Sequence, residues 1–323
     1  MSERIPFPFI VACGRSGTTM LRVMFEQHPD IAIPPESYFP VSFFRRRERY
    51  AVSGGSGVDL AVMAEDLLRH ERFLAWRLDP PLVRSRLTGE APDFAEAIRR
   101  VYALYAEAHG KRRYGDKTPP FLMHMRMLAE QFPEARFIHL VRDGRDVVLS
   151  LRDQPFAPSS FTGAAEYWAG RVRRARQAGE RLGPDRYVEV RYEDLVANTE
   201  AELRRLCEFV ELEFRPEMLA YRHEDLARIP LTDKMRESGA VRRPGSSRRD
   251  WRTQMTPRQL AVVESVAGDQ LEAFGYERAT PSPGIRARTT AASVGTWRRT
   301  GGRVASGIAA RLRRGSSPRP GRA

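Results

Sequence analysis

Cysteine is nearly absent from this sequence: Cys13 and Cys207 are the only two in 323 residues. Two thiols cannot build a disulfide framework, and no His/Cys cluster has metal-ligand spacing, so a cysteine-based zinc site is excluded as well. No apolar run approaches the roughly 18 residues that a membrane span needs. Met1-Ser-Glu-Arg does not open a signal peptide, so a soluble, cytoplasmic protein is the expectation. Acidic residues are missing from positions 280–323, which carry ten arginines and no lysine. The formal charge of +13, from 54 basic and 41 acidic residues, therefore resides mainly there, because positions 1–279 hold 44 basic residues against the same 41 acids.

That distribution argues against a nucleic-acid-binding body. Residues 280–323 are rich in Gly, Ser, Thr, Ala and Pro and cannot bury a core, so they are expected to form a disordered basic tail behind a globular domain over 1–279. Wound at helical pitch, Val294, Trp297, Val304, Ile308 and Leu312 share one stripe, which makes 294–314 suited to peripheral contact with an anionic membrane. Gly301, Gly302 and Gly307 oppose a stable helix there, and an unstructured state is the expectation in solution. The 41% hydrophobic content is enough for a packed core.

Within the body, Pro6-Phe-Pro-Phe-Ile-Val-Ala12 reads as a buried strand, followed by a tight loop and a helix carrying Met20, Leu21, Met24 and Phe25. Arg136-Phe-Ile-His-Leu-Val141 repeats the pattern, with a turn at Arg142-Asp-Gly-Arg145 and a helix through Leu151. Tyr187-Val-Glu-Val190 is a third strand, and further helices are expected over 59–70, 93–109, 121–132, 163–182, 199–211 and 256–274. Thr118-Pro-Pro and Thr256-Pro257 suit helix starts, because Pro fits the first turn. Strands separated by helices imply an α/β fold with a parallel sheet covered on both faces. Residues 53–57 read as a flexible loop.

The first strand–helix loop is Cys13-Gly-Arg-Ser-Gly-Thr-Thr19. Its glycines let successive N–H groups turn inward at a helix N-terminus; Arg15 adds a full charge, and Ser16, Thr18 and Thr19 add hydroxyls. Such a loop suits a doubly charged phosphate. A kinase-type P-loop would need glycine at position 12 and lysine at 18, where Ala12 and Thr18 stand. A turn with no ligand would leave the arginine and three hydroxyls unexplained. Arg142, at a strand end, offers phosphate a planar fork of donors and Ser150 a hydroxyl, although Arg142 could instead pair with Asp143 or Asp146. Bare, Glu36 reads as a surface carboxylate, Lys117 as an exposed partner of Asp116, and Tyr192 as a core tyrosine.

Gly14-Arg-Ser-Gly-Thr-Thr-Met-Leu-Arg22, His28-Pro-Asp30, Glu36, Asp116-Lys-Thr118, Phe137 to Leu151, Arg191-Tyr-Glu-Asp-Leu195 and the arginines before Trp251 together resemble the sulfotransferases that use 3′-phosphoadenosine 5′-phosphosulfate. The likeness is to the tyrosylprotein and bacterial branches and covers the body without the tail. It implies a P-loop-like nucleotide-binding fold and no metal. It implies that Arg15, Ser16, Gly17, Thr18 and Thr19 hold the 5′-phosphosulfate, Arg142 and Ser150 the 3′-phosphate, and Tyr192 the adenosine. Lys117 matches the lysine that reaches the bridging oxygen, and Glu36 matches the catalytic carboxylate. Cytosolic members usually have lysine at the position of Arg15 and a histidine base after Lys-Thr, where Pro119 stands here.

A mobile Arg/Lys-Gly segment closes the donor site in that family, and Arg248 and Arg249, within Arg242, Arg243, Arg248, Arg249 and Arg252, are the candidates. Tyr38, Phe39, Phe43, Phe44 and Tyr50 form either an acceptor wall or helix core. The acceptor is left open among small-molecule, sugar, lipid and peptide hydroxyls, with amines less favoured. Two other classes compete: a P-loop phosphotransferase, and a non-catalytic protein binding anionic surfaces through its tail.

Overall fold

The computed structural model describes residues 4–52, 57–220 and 249–280. Along the chain run β1 (Phe7–Val11), α1 (Thr18–Glu26), β2 (Ile31–Ala32), α2 (Phe39–Phe44), β3 (Val58–Asp59), α3 (Leu60–Leu67), α4 (Glu71–Leu74), α5 (Pro80–Arg86), β4 (Glu90–Ala91) and α6 (Phe94–Ala108). There follow β5 (Arg113–Tyr114), β6 (Asp116–Lys117), α7 (Met125–Gln131), β7 (Ala135–Val141), α8 (Gly144–Leu151), α9 (Phe161–Leu182) and β8 (Tyr187–Arg191). The last described elements are α10 (Tyr192–Ala197), α11 (Thr199–Phe209), α12 (Trp251–Gln254) and α13 (Pro257–Ala273).

The central sheet has the order β6-β1-β7-β8, and every pairing in it is parallel. All five residues of β1 are buried, as expected for an inner parallel strand covered on both faces. Side chains alternate across it. Phe7, Phe9 and Val11 join one apolar cluster with residues of α2, α3 and α6. Ile10 and Ala12 join another with α1 and α11. A third cluster packs α8, α9 and α13 around Trp168 and Val141. The expected α/β architecture with a covered parallel sheet is the observed one.

Local chemistry fixes most boundaries. Asp93, Asp143 and Ser160 cap α6, α8 and α9 by accepting N–H bonds from the first turns. Thr256 and Gln259 form a reciprocal capping box, with Pro257 in the first turn of α13. The helix expected over 121–132 is interrupted. Pro119–Met123 forms a 3₁₀ turn, and α7 begins only after His124, whose φ is −123°. The Pro119 carbonyl, needed to start a continuous helix, accepts instead from Ala12 N–H at 3.2 Å. At the other end, Glu264 accepts backbone N–H bonds from Ala279 and Thr280. Most of the loop at 53–57, Arg242, Arg243, Arg248 and the tail beyond 280, including the membrane-contact candidate 294–314, lie outside the described residues.

Candidate functional site

The register of the sheet collects the site. Ile10 stands beside both Lys117 on β6 and Ile138 on β7, while Val141 stands beside Arg191 on β8. The loop after β1, Lys117, Arg142 and Tyr192 therefore emerge at the carboxyl edge of one parallel sheet, where open α/β folds bind ligands.

In the first loop Arg15 (φ 75°) and Gly17 (φ 93°) both take left-handed backbone conformations. Alternating conformations of this kind turn successive N–H groups to one side. Gly17 is the N-cap of α1 and brings no side-chain cap, so the N–H groups of the first helical turn are available to an anion. Ser16 Oγ donates to the Cys13 carbonyl at 2.7 Å and braces the turn. Arg15 Nε donates to Ser150 Oγ at 2.9 Å, joining the first loop to α8 across 135 residues. Burial pushes the Cys13 thiol up to about 12, so it stays protonated near neutrality.

The Cδ2–Cε2 edge of Tyr192 closes on that loop, and a Cβ on Gly17 would sit 2.5 Å from Cδ2. The Arg142 guanidinium stands 4.8 Å from the centre of the same ring. Its Nη2 is 3.5 Å from Asp146 Oδ2, and its Nε is buried with no hydrogen-bond partner among the described residues. A buried guanidinium donor left unmatched at a strand end fits an anion such as a phosphate. Asp146 is itself pushed up to about 6, by burial, against the opposing pull of Arg142.

The turn bearing Arg142 is held from two sides. Asp143 N–H donates to Glu193 Oε1 at 3.0 Å, and Tyr276 donates to the other oxygen of Glu193 at 2.7 Å. Trp251 donates from its backbone to Asp146 at 2.9 Å and from its indole to Asp143 at 3.1 Å, with Arg145 over its ring at 3.8 Å. The chain that leaves the arginine-rich stretch is thus docked beside Arg142. Arg249 pairs with Asp153.

Lys117 is not the exposed partner of Asp116. It is 1% exposed, and its Nζ donates to Glu36 Oε1 at 2.9 Å. Burial lowers the Lys117 pKa, and the Glu36 charge opposes that. The Glu36 side chain is 14% exposed, so it faces the site rather than bulk solvent. The residues on either side of this pair are joined as well. Ser37 Oγ, Tyr102 hydroxyl and Thr118 Oγ1 all donate to Asp116 Oδ2, at 2.7, 2.7 and 3.2 Å. Burial pushes Asp116 up to about 6 against these three bonds.

The structure thus brings Arg15 together with Ser150, Arg142 with Tyr192, and Lys117 with Glu36. Arg142 and Ser150 do not bond each other. Of the aromatics after Glu36, Phe39, Phe43 and Tyr50 are fully buried and belong to the core. Tyr38 is half-buried, and burial, with the Glu36 charge added, pushes its phenol well above the usual range. The Ser37–Asp116 bond and the docking of Trp251 had no readable signal, because they join residues 79 and 108 positions apart. Among the described residues no three His, Cys, Asp or Glu side chains could together hold a metal ion. No described helix is long and apolar enough to cross a membrane.

An anion-ready loop that opens a helix next to a parallel strand marks the P-loop-like nucleotide-binding proteins, and this fold is of that class. Within the class the chain belongs to the sulfotransferase family, whose profile matches residues 6–216. It is 27% identical over 296 residues to nodulation protein NoeE of Sinorhizobium fredii, covering 84% of this chain and 66% of that one. It is 26% identical over 283 residues to protein-tyrosine sulfotransferase A of Caenorhabditis elegans, covering 84% and 67%. The chain thus spans about two thirds of the length of these relatives. The solved sulfotransferase domain from the curacin biosynthetic pathway shares the fold, with a TM-score of 0.57, 22% identity, and coverage of 85% of this chain and 99% of that domain.

Proposed function

We propose that the domain over 1–279 catalyses sulfuryl transfer to an acceptor hydroxyl, with 3′-phosphoadenosine 5′-phosphosulfate as donor and Glu36 as general base. The observation that carries this reading is the 2.9 Å contact between Lys117 and Glu36 at the sheet edge that also bears the 13–19 loop. A cation for the leaving phosphate and a carboxylate for the acceptor proton are the two groups that the reaction needs. The donor supplies an activated sulfuryl group on a phosphate leaving group. Glu36 takes the acceptor proton as the new O–S bond forms in line with the S–O bond that breaks. Lys117 and Arg15 receive the negative charge left on the phosphate oxygen. Ser16, Gly17, Thr18 and Thr19 hold the 5′ end through the loop and the helix N-terminus. Arg142, Ser150 and the arginine segment with Arg248 and Arg249 take the 3′-phosphate, and Tyr192 offers a ring face to the adenosine.

The relatives include a protein-tyrosine sulfotransferase and a nodulation protein, which supports an acceptor substrate without choosing its class. Calorimetric titration with adenosine 3′,5′-bisphosphate tests the donor site. Arg142→Ala is expected to weaken that binding about 10- to 100-fold, the loss of a charge-assisted bond to phosphate. Glu36→Gln is expected to keep the binding within about twofold while lowering turnover of labelled donor about 100-fold or more against a panel of phenol, sugar and lipid hydroxyls. A well-folded protein that fails to bind the bisphosphate overturns the reading.

A further inference from the structure

Glu36 stands in an irregular segment between β2 and α2, and such segments hold a side chain in place only where something ties them down. The residue before it is tied by the Trp76 indole, which donates to the Pro35 carbonyl at 2.9 Å. The residue after it is tied more heavily. Ser37 N–H donates to Thr118 Oγ1 at 3.0 Å, and Ser37 Oγ donates to Asp116 Oδ2 at 2.7 Å. Thr118 Oγ1 donates a hydrogen bond to the same carboxylate oxygen at 3.2 Å, and Tyr102 supplies a third donor from α6. Ser37, Tyr102, Asp116 and Thr118 are all 0% exposed.

Asp116, Lys117 and Thr118 are consecutive at the end of β6, and successive side chains of extended chain point to opposite faces. Two neighbouring residues of the 36–37 segment accordingly engage two faces of one strand. Glu36 meets Lys117 on one face, and Ser37 meets Asp116 and Thr118 on the other. A slip of one residue in either segment would break both sets of contacts together.

The next residue carries the strain of this arrangement. Tyr38 has φ 55° and ψ −31°, and Phe39 N–H donates to the Ser37 carbonyl at 2.6 Å. This is a γ-turn of the rare, strained hand, with a tyrosine at its centre. Non-glycine residues stay in such conformations only where their surroundings over-determine them. The bonds on Ser37 supply that constraint.

We propose that Ser37, Asp116 and Thr118 are positioning residues that clamp Glu36 against Lys117. The inference rests on the reading of Glu36 as the base, and it adds the device that sets the separation of base and cation. A hydroxyl network that merely stabilised the core would leave the ion pair unchanged when cut.

The sequence offers a clean probe, because it contains only three lysines, Lys111, Lys117 and Lys234. Lysine-selective 13C labelling therefore resolves the Lys117 titration by NMR on the full chain. Glu36 supports the charged form of Lys117 against burial, so separating the pair lowers the Lys117 midpoint. Ser37→Ala and Thr118→Val are each expected to lower it by about 1 pH unit or more, as Glu36→Gln does, the size of effect a close opposite charge exerts. Thr118→Ser, which keeps the hydroxyl, is expected to leave it in place. Thermal unfolding of each variant shows that the folded protein is being read.

A Lys117 midpoint lowered by Glu36→Gln but unmoved by both Ser37→Ala and Thr118→Val overturns the clamp and leaves the base assignment standing. Undiminished turnover in Glu36→Gln overturns the base assignment whatever the lysine does. If one clamp variant fails to fold, the other decides the matter; if both do, Ser37→Cys, which keeps the size of the side chain and replaces the hydroxyl by a weak thiol donor, must lower the midpoint or the clamp is refuted.

Discussion

Replacing Gly17 with alanine puts a single methyl group where the donor loop, α1 and Tyr192 meet. Two costs follow from the geometry. Gly17 has φ 93°, and an L-residue held in left-handed backbone costs about 1–2 kcal/mol. The new Cβ would also lie 2.5 and 2.6 Å from two carbons of the Tyr192 ring. Carbon atoms pack at about 3.5 Å or more, so the ring must retreat by about 1 Å. Forced overpacking of this kind costs about 1–3 kcal/mol. Together the terms reach about 2–5 kcal/mol, which for a body of this size lowers the melting temperature by about 10 °C. Because Arg142 stands over the same ring at 4.8 Å, displacement of Tyr192 also moves the guanidinium proposed for the 3′-phosphate. Binding of adenosine 3′,5′-bisphosphate should weaken about tenfold or more. The two costs separate in a double-mutant cycle, since in a Tyr192→Ala background only the backbone term is left. A coupling of about 1–3 kcal/mol between the two sites is therefore expected. Equal destabilisation by Gly17→Ala in both backgrounds would refute the close approach of ring and loop.

Arg145→Met should destabilise the protein by about 3–5 kcal/mol, read as a lower urea midpoint. The arginine joins Asp143 and Glu264, each at 2.7 Å, and the three side chains are 3%, 8% and 0% exposed, so its loss strands two buried carboxylates. A change below about 1 kcal/mol would contradict this. Glu189 sets an acid limit on stability. Burial alone would raise its pKa, but bonds from Arg176 and Tyr187, with His139 3.9 Å away, overcome that and hold it down at about 2, against 4.5 for an ordinary glutamate. A depressed carboxylate contributes stability that is complete above about pH 4.5 and lost as the pH falls toward 2; here it is on the order of 3 kcal/mol. Glu189→Gln should remove that share of the slope of unfolding free energy between pH 5 and 2, and an unaltered slope would show that the carboxylate is not so held.

What could be read from the sequence was what short-range physics decides. The continuous apolar run Phe7–Val11 announced a buried strand, because an inner parallel strand has no solvent face to alternate with. Thr256-Pro257 announced the start of α13, because the capping box is complete within four residues. The helix expected over 121–132 starts late, at Met125, for a long-range reason, since the Pro119 carbonyl is claimed by Ala12, 107 positions earlier. In the site, the glycines and hydroxyls of the 13–19 loop signal an anion cradle by their own chemistry. The partners do not. Arg142 and Ser150, eight positions apart, are expected to share one phosphate, and the sequence does not announce that Ser150 bonds Arg15 or that Arg142 stacks on Tyr192. Strand order decides which loops are neighbours, and strand order is fixed by the summed packing of three apolar clusters rather than by any residue of the site.

Lys117 is where composition and site meet. The chain uses 51 arginines and three lysines, so a lysine at the centre of the proposed machinery is unlike the chain's ordinary cation. The physical difference is specific to this position. An ammonium is a compact point charge on a flexible stem, whereas a guanidinium is a rigid planar fork. In a slot 1% exposed, a cation that must face both Glu36 and a phosphate oxygen has room to swing only if it is small. Lys117→Arg keeps the charge and changes shape alone. The variant should fold with a loss of about 1–3 kcal/mol from overpacking. It should retain adenosine 3′,5′-bisphosphate binding within a few-fold, yet lose turnover by more than about tenfold, because the fork can satisfy the carboxylate without reaching the oxygen that takes the charge. Lys117→Met, which removes the charge at similar volume, should lose still more turnover. If the arginine variant turns over like the wild type, charge alone suffices at this position, and the compactness assigned to Lys117 has no part in the reaction.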